Sequence, residues 1–219
     1  ANQALNVNPE LVYSLVDTER GLLIVASALV AKCLERWKIA GSVVATAKGQ
    51  ALDHMPFKHP LAHVDKGFDR ISPVYLADYA TADDGTGIVH SAPAYGVDDF
   101  NSCVSNGMDY KDILNPVTGN GVYAADLPLF GGQHIWKAVP VILDALKVAG
   151  RLMDTTSLTH SYPHCWRHKT PVIYRAAAQW FIRMDEGEGV FTDPTHKPEQ
   201  TQRQIALEAI EETSFYPEN

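Results

Sequence analysis

Apolar residues in the first half of the chain fall into short runs with a period of two, separated by turn-forming residues. Leu11 to Val16 alternates, Asp17-Thr18-Glu19-Arg20-Gly21 supplies turn chemistry, and Leu22 to Ala26 is a second run, so the pattern predicts a β-hairpin. Ala1-Asn2-Gln3-Ala4-Leu5-Asn6-Val7 reads as a strand edge with no cap and no initiating methionine, as expected of a fragment of a longer protein. The period then changes. Leu29, Val30, Cys33, Leu34 and Trp37 recur at helical spacing, predicting a helix over Ala28 to Lys38 with Ser27 as N-cap and Gly41 as its end.

Ser42 to Ala47, Ala51 to Leu61 (broken by Pro56 and Pro60), Val74 to Tyr79 and Gly87 to Ser91 read as further strands. Val97 to Asn106 reads as a helix with Asp98 and Asp99 in its first turn, where carboxylates meet the positive end of the dipole. Ile113 to Gly132 should be loops with short strands, Val139 to Leu152 a second amphipathic helix, and Met153 to Tyr162 and Val172 to Met184 strand-like runs. Gly187, Gly189, Pro194 and Pro198 mark a linker, and Gln202 to Thr213 a charged helix. The expected fold class is α+β: a β-barrel-like core of short mixed strands decorated by two or three helices. Boundaries are expected near 160 and 186.

Composition narrows the function. With 219 residues, 46% hydrophobic and 20% charged, the chain has the make-up of a soluble globular protein. Leu22 to Val30, the best apolar stretch, is far short of the ~20 residues of a membrane helix, and no secretory signal opens the chain. Three scattered cysteines, Cys33, Cys103 and Cys165, argue against a disulfide framework and for a reducing cytosol. A net charge of -8 argues against gripping a long duplex, because phosphate contacts dominate such affinity. Any nucleic-acid partner should be short, or held mainly by other domains.

The candidate chemistry lies in Asp84-Gly85-Thr86-Gly87-Ile88-Val89-His90-Ser91-Ala92-Pro93-Ala94-Tyr95-Gly96-Val97-Asp98-Asp99-Phe100. It sets an imidazole at the end of an apolar strand and, nine residues on, two carboxylates at a helix start. Small residues lie between, and the spacing predicts a pocket in which the two polar groups face each other. Gly85-Thr86-Gly87 is a poor phosphate loop, since a strand follows it rather than a helix N-terminus. Neighbouring helical side chains diverge by about 100°, so one aspartate should face solvent and the other the pocket. The plain alternative is a wall histidine and two helix-start carboxylates.

This segment resembles the editing domain of class I aminoacyl-tRNA synthetases for branched aliphatic amino acids. Histidine at position 90, followed by a small residue, Ala92-Pro93 and later Asp98-Asp99-Phe100, points to the isoleucine enzymes of bacteria. A second stretch, Ser161-Tyr162-Pro163-His164-Cys165-Trp166-Arg167-His168-Lys169-Thr170-Pro171-Val172-Ile173-Tyr174-Arg175 with Gln179-Trp180-Phe181, resembles the return from the editing insertion toward the catalytic core. The resemblance implies an editing domain over 1–160 and a return connector over 161–219. It implies hydrolysis of valine misattached to isoleucine tRNA, with Asp99 holding the α-ammonium and His90 shaping a pocket that rejects isoleucine. Asn2, Gly85, Thr86, Gly87, Asp98, Pro93 and Ala94 are the expected substrate-binding residues, Asn2 closing a threonine-rich segment that should lie before Ala1. Tyr95 stands where many members carry histidine.

The implied partners are the valine-carrying tRNA 3′ end and the remaining synthetase domains, with no membrane, no cofactor, a cytoplasmic location and a monomeric state. Neither the His-Ile-Gly-His nor the Lys-Met-Ser-Lys-Ser motif is present, so the chain is not expected to aminoacylate alone. The alternative reading is a non-catalytic module binding the tRNA end or a partner protein.

Two clusters stay outside this scheme. Cys165-x-x-His168, with His160 and His164 nearby, has the spacing of half a zinc site, but a closed structural site takes four ligands and no second pair exists. A polar turn with no metal is the expectation. Arg167, His168, Lys169, Arg175 and Arg183 form a basic island suited to RNA, to neighbouring domains or simply to solvent.

Overall fold

The computed structural model describes residues 2–185 and 200–216. The linker residues Gly187, Gly189, Pro194 and Pro198 lie outside them. Contacts divide the chain into two compact units, Ala1–Ala176 and Ala177–Asn219.

In the first unit, β1 (Ala4–Val7) lies inside a four-stranded mixed sheet with order β5-β6-β1-β7, where β5 is Pro56–Lys58, β6 Ile71–Leu76 and β7 Val89–Ser91. It runs parallel to β6, pairing Leu5 with Val74, and antiparallel to β7, pairing Leu5 with His90. The second sheet is antiparallel, order β3-β2-β4, with β2 Val12–Thr18, β3 Gly21–Ala26 and β4 Gly41–Lys48. The expected hairpin is β2–β3, and its turn is closed by Thr18, whose hydroxyl donates to the Gly21 carbonyl at 2.7 Å.

The class is α+β, but no closed barrel forms among the described residues: each sheet keeps two free edges. Val7, Tyr13, Val25, Leu29, Cys33 and Val74, drawn from both sheets and the segment after β3, fill one core. Burying such side chains stabilises by ~25 cal/mol per Å2 of apolar surface without any need for strand closure. Among the described residues there are four α-helices: α1 (Val30–Trp37), α2 (Val97–Ser105) and α3 (Ile135–Val148) in the first unit and α4 (Gln202–Glu212) in the second.

Helix boundaries depart from the sequence pattern for local reasons. Ser27 does not cap α1, because its hydroxyl is 2.7 Å from that of Ser14 and a 3-10 turn over Ser27–Leu29 precedes the helix. Lys38, in the left-handed region, ends α1, and Gly41 instead begins β4. Helix α3 starts at Ile135, with the His134 ring accepting from the Trp136 N–H, and Pro140 falls within it. A proline inside a helix reads as a start in sequence, since it favours first-turn positions. The run 153–184 holds one isolated bridge, His164 to Pro171, and no strand. With both sheets built from earlier strands, its extended segments have no partner ladder.

The second unit carries α4, opened by a capping box in which Thr201 and Gln204 exchange hydrogen bonds. Arg203 holds Asp185 through two contacts of 2.6 and 3.0 Å. Among the described residues no helix is long and apolar enough to cross a membrane.

Candidate functional site

Strand β1 is buried on both faces, and this places the candidate residues. Ala4 and Asn6 face α2: Ala4 packs with Cys103, and the Asn6 Nδ2 donates to the Ser102 hydroxyl at 2.7 Å. Ser91, opposite Ala4, also faces α2, its hydroxyl 3.6 Å from the Cys103 sulfur. Successive strand residues alternate, so His90 leaves the sheet on the other face, beside Leu5. It is exposed there. No hydrogen bond or ion pair joins it to Asp99 among the described residues.

Asp99 is half-buried and bent back over the chain before α2. Its Oδ2 accepts the Ala92 N–H at 2.9 Å. This closes the Ala92–Tyr95 turn, where Tyr95 N–H donates to the Ala92 carbonyl and Ala92, Pro93 and Ala94 are buried. Gly96 leaves room beside it: a β-carbon there would lie 2.9 Å from that same carboxylate oxygen and would push the side chain off its place. Asp98, one step round the helix, is exposed. The doublet therefore splits into one solvated and one inward carboxylate.

Asn2 reaches the same end of the sheet. Gln3 N–H donates to the Ser91 carbonyl at 2.8 Å, and extending that antiparallel register carries Asn2 toward Pro93. The Asn2 amide donates to the Ala4 carbonyl, and the Asn2 carbonyl accepts from Arg70. Topology thus gathers Asn2, Pro93, Ala94 and Asp99 at one sheet end, with His90 on the opposite face of the adjoining strand.

Gly85-Thr86-Gly87 serves as a strap onto the other sheet. The Thr86 carbonyl accepts from Ala26 N–H, the Gly87 carbonyl from the Tyr13 hydroxyl, both at 2.8 Å, and the Gly85 carbonyl from the Cys33 thiol at 3.1 Å. Its anchors are carbonyls, the wrong polarity for a phosphate cradle. Asp84, paired with Lys32 and bonded to the Gly85 N–H, is held below the usual carboxylate range.

Tyr95 accepts the Val117 N–H at 3.2 Å and pins that loop; burial pushes its phenol up. Cys165 and His168 touch at 3.3 Å in an exposed turn. Among the described residues no group of three or more His, Cys, Asp or Glu is placed to hold a metal. All three cysteines are free. Arg70 and Asn6 had no sequence signal: their roles arise from pairings across the sheet.

No family model matches this chain. Curated relatives do. Isoleucine–tRNA ligase of Ralstonia pickettii is 57% identical over 217 residues, 99% of this chain. Those of Burkholderia multivorans and Cupriavidus pinatubonensis are each 56% identical over 99% of it. This chain belongs to the isoleucine–tRNA ligase family.

It spans 22% of the length of the isoleucine–tRNA ligases it matches. A solved structure titled as the crystal structure of GlLeuRS-CP1 is similar over 48% of this chain and 40% of that one, with a TM-score of 0.38 and 19% identity. That likeness is too partial to bear on the site. In this isoleucine–tRNA ligase segment the features that remain are a half-buried carboxylate with one oxygen fixed, a wall of small residues, and a solvated histidine on the opposite face of the adjoining strand.

Proposed function

We propose that this segment is a hydrolytic editing domain, acting in the cytoplasm, that removes valine misattached to isoleucine tRNA. Residues 1–160 form its body and 161–219 the connector toward the rest of the synthetase. Near-complete alignment with isoleucine–tRNA ligases supports the family context. The observation that carries the reading is Asp99: one carboxylate oxygen is anchored on Ala92 N–H beside buried small residues. The other remains for a ligand.

The substrate of such a site carries a free ammonium beside an ester. Asp99 pairs with the ammonium and so fixes the carbonyl against an attacking water. An aminoacyl ester is already activated, so hydrolysis needs positioning and oxyanion stabilisation more than a strong base. The role of His90 in shaping the side-chain pocket rests on the family resemblance alone, since its side chain leaves the strand on the face away from Asp99. A pocket cannot strongly reject a ligand for lacking one methylene, worth ~1–3 kcal/mol, a general magnitude whose standard illustration is isoleucine activation itself and not a value derived from this chain. Exclusion of the larger isoleucine from a small second pocket is harsher, because overpacking a rigid wall costs ~1–3 kcal/mol or more.

One observation favours the second reading, a module that binds the RNA end without hydrolysis: His90 leaves β7 on the face opposite the one covered by α2, the helix that carries Asp99. The deciding experiment follows ester loss from valyl- and isoleucyl-tRNA for isoleucine. Selective loss of valine, abolished in Asp99→Asn, supports hydrolysis; binding of both without turnover supports the module.

A further inference from the structure

Arg70 immediately precedes β6, and the parallel pairing of β6 with β1 carries its side chain to the start of β1. Its Nε and Nη2 both donate to the Asn2 carbonyl, at 3.2 and 3.0 Å. Gln3 is held separately: its amide donates to the Asp112 carbonyl at 2.8 Å and accepts the Leu114 N–H at 2.7 Å. Beside these clamps opens a cavity of about 340 Å3, lined by Arg70, Phe68, Leu114 and Asn115, with Asp126 also on its lining.

A guanidinium has five N–H donors, and Asn2 takes two. Among the described residues no carboxylate lies within 4 Å of Arg70. It is nonetheless half-buried, and desolvation lowers its basicity. A cation removed from water without a counter-charge is costly unless something supplies one. The Asp126 carboxylate is exposed and screened by solvent. His59, whose pKa is lowered to about 4, is neutral at pH 7 and adds no charge.

We propose that Arg70 is an anion-binding residue, and that the cavity it lines takes a phosphodiester of the single-stranded RNA end on which the editing site acts. This rests on the hydrolytic reading for the identity of the RNA. The planar fork, pre-oriented by Asn2, offers its remaining N–H groups to phosphate oxygens. Because the same fork holds Asn2, occupancy of the cavity and the position of Asn2 are coupled.

The test reads binding, so it stands apart from turnover. The protein is titrated with a short single-stranded RNA ending in adenosine, with the same RNA carrying neutral methylphosphonate linkages, and with inorganic phosphate. The phosphodiester form should bind several-fold more tightly to the wild type. Arg70→Gln should erase that preference and make the salt dependence shallower by about 0.7 in slope, the share of one single-strand phosphate contact. Arg70→Lys, which keeps the charge, should retain most of the slope, and it serves if the glutamine variant fails to fold. An unchanged preference in Arg70→Gln, a slope lost in a folded Arg70→Lys, no preference in the wild type, or inorganic phosphate binding as tightly as the RNA would each overturn the proposal. Absence of valyl-tRNA hydrolysis would defeat the hydrolytic reading and leave this binding result to be read independently.

Discussion

The carboxylate of Asp99 accepts the main-chain N–H of Ala92 at 2.9 Å, so the same side chain that we propose holds the ligand also closes the turn before α2. The two duties separate by substitution. Asparagine keeps an oxygen that accepts from Ala92 and loses only the charge; alanine loses both. Asp99→Asn should therefore unfold in urea within about 0.5 kcal/mol of wild type while valyl-tRNA hydrolysis collapses. Asp99→Ala should lose hydrolysis and in addition ~1–3 kcal/mol of stability.

Gly87 and Gly85 both occupy the left-handed region, at φ +74° and +70°, but only Gly87 is crowded. A β-carbon at Gly87 would lie 2.4 Å from that of Ala26, whereas at Gly85 nothing lies within 4 Å. Gly85→Ala should cost about 1 kcal/mol, the backbone penalty alone. Gly87→Ala adds overpacking of ~1–3 kcal/mol and should detach the strap from β3. Denaturant melts of the two variants give the comparison, and equal losses would refute the strap.

Asn6 is fully buried, gives its amide to Ser102, and leaves its Oδ1 without a partner among the described residues. An orphaned buried oxygen is unfavourable, so removing the whole side chain has opposing effects. Asn6→Ala loses the Ser102 bond and opens a cavity against α2, and should destabilise by ~1–3 kcal/mol. Ser102→Ala, which strands the Asn6 amide, should cost a similar amount. A double variant losing much less than the two single losses combined would establish the pair.

His59 stacks on Phe68 at 5.0 Å, and its Nδ1 accepts the Leu61 N–H. Burial first, then the charge of Arg70, lowers its pKa from 6.5 to about 4. Its folded pKa lies below the unfolded one, so below pH 6.5 the unfolded chain takes up a proton that the folded chain refuses. Stability should thus fall between about pH 6.5 and 4 and flatten beneath. The contribution is on the order of 1–2 kcal/mol once partial exposure is allowed for. His59→Gln should remove this component from a pH series of urea melts.

Much of the scaffold was legible because its signals are local. The β2–β3 hairpin follows from alternation on either side of Asp17-Thr18-Glu19-Arg20-Gly21, and α2 follows from two carboxylates at a first turn. The split between Asp98 and Asp99 was legible too, since adjacent helical side chains diverge. Other features depend on partners far along the chain. Ser27 reads as a cap and bonds Ser14 instead. Met153 to Tyr162 and Val172 to Met184 read as strands, but no neighbouring strand is left to pair with them.

The site divides along the same line. Sequence by itself determined the family, the residue types at the strand end and helix start, and the small-residue wall between them, because these depend on order along the chain. Tertiary structure decided which face His90 takes, that Asp99 is tied to Ala92, that the Gly-Thr-Gly strap docks through carbonyls, and that Arg70 meets Asn2. Each of those is a contact between segments distant in sequence or a consequence of sheet register. Register is set by which strands bury which faces together, and no single strand carries that information alone.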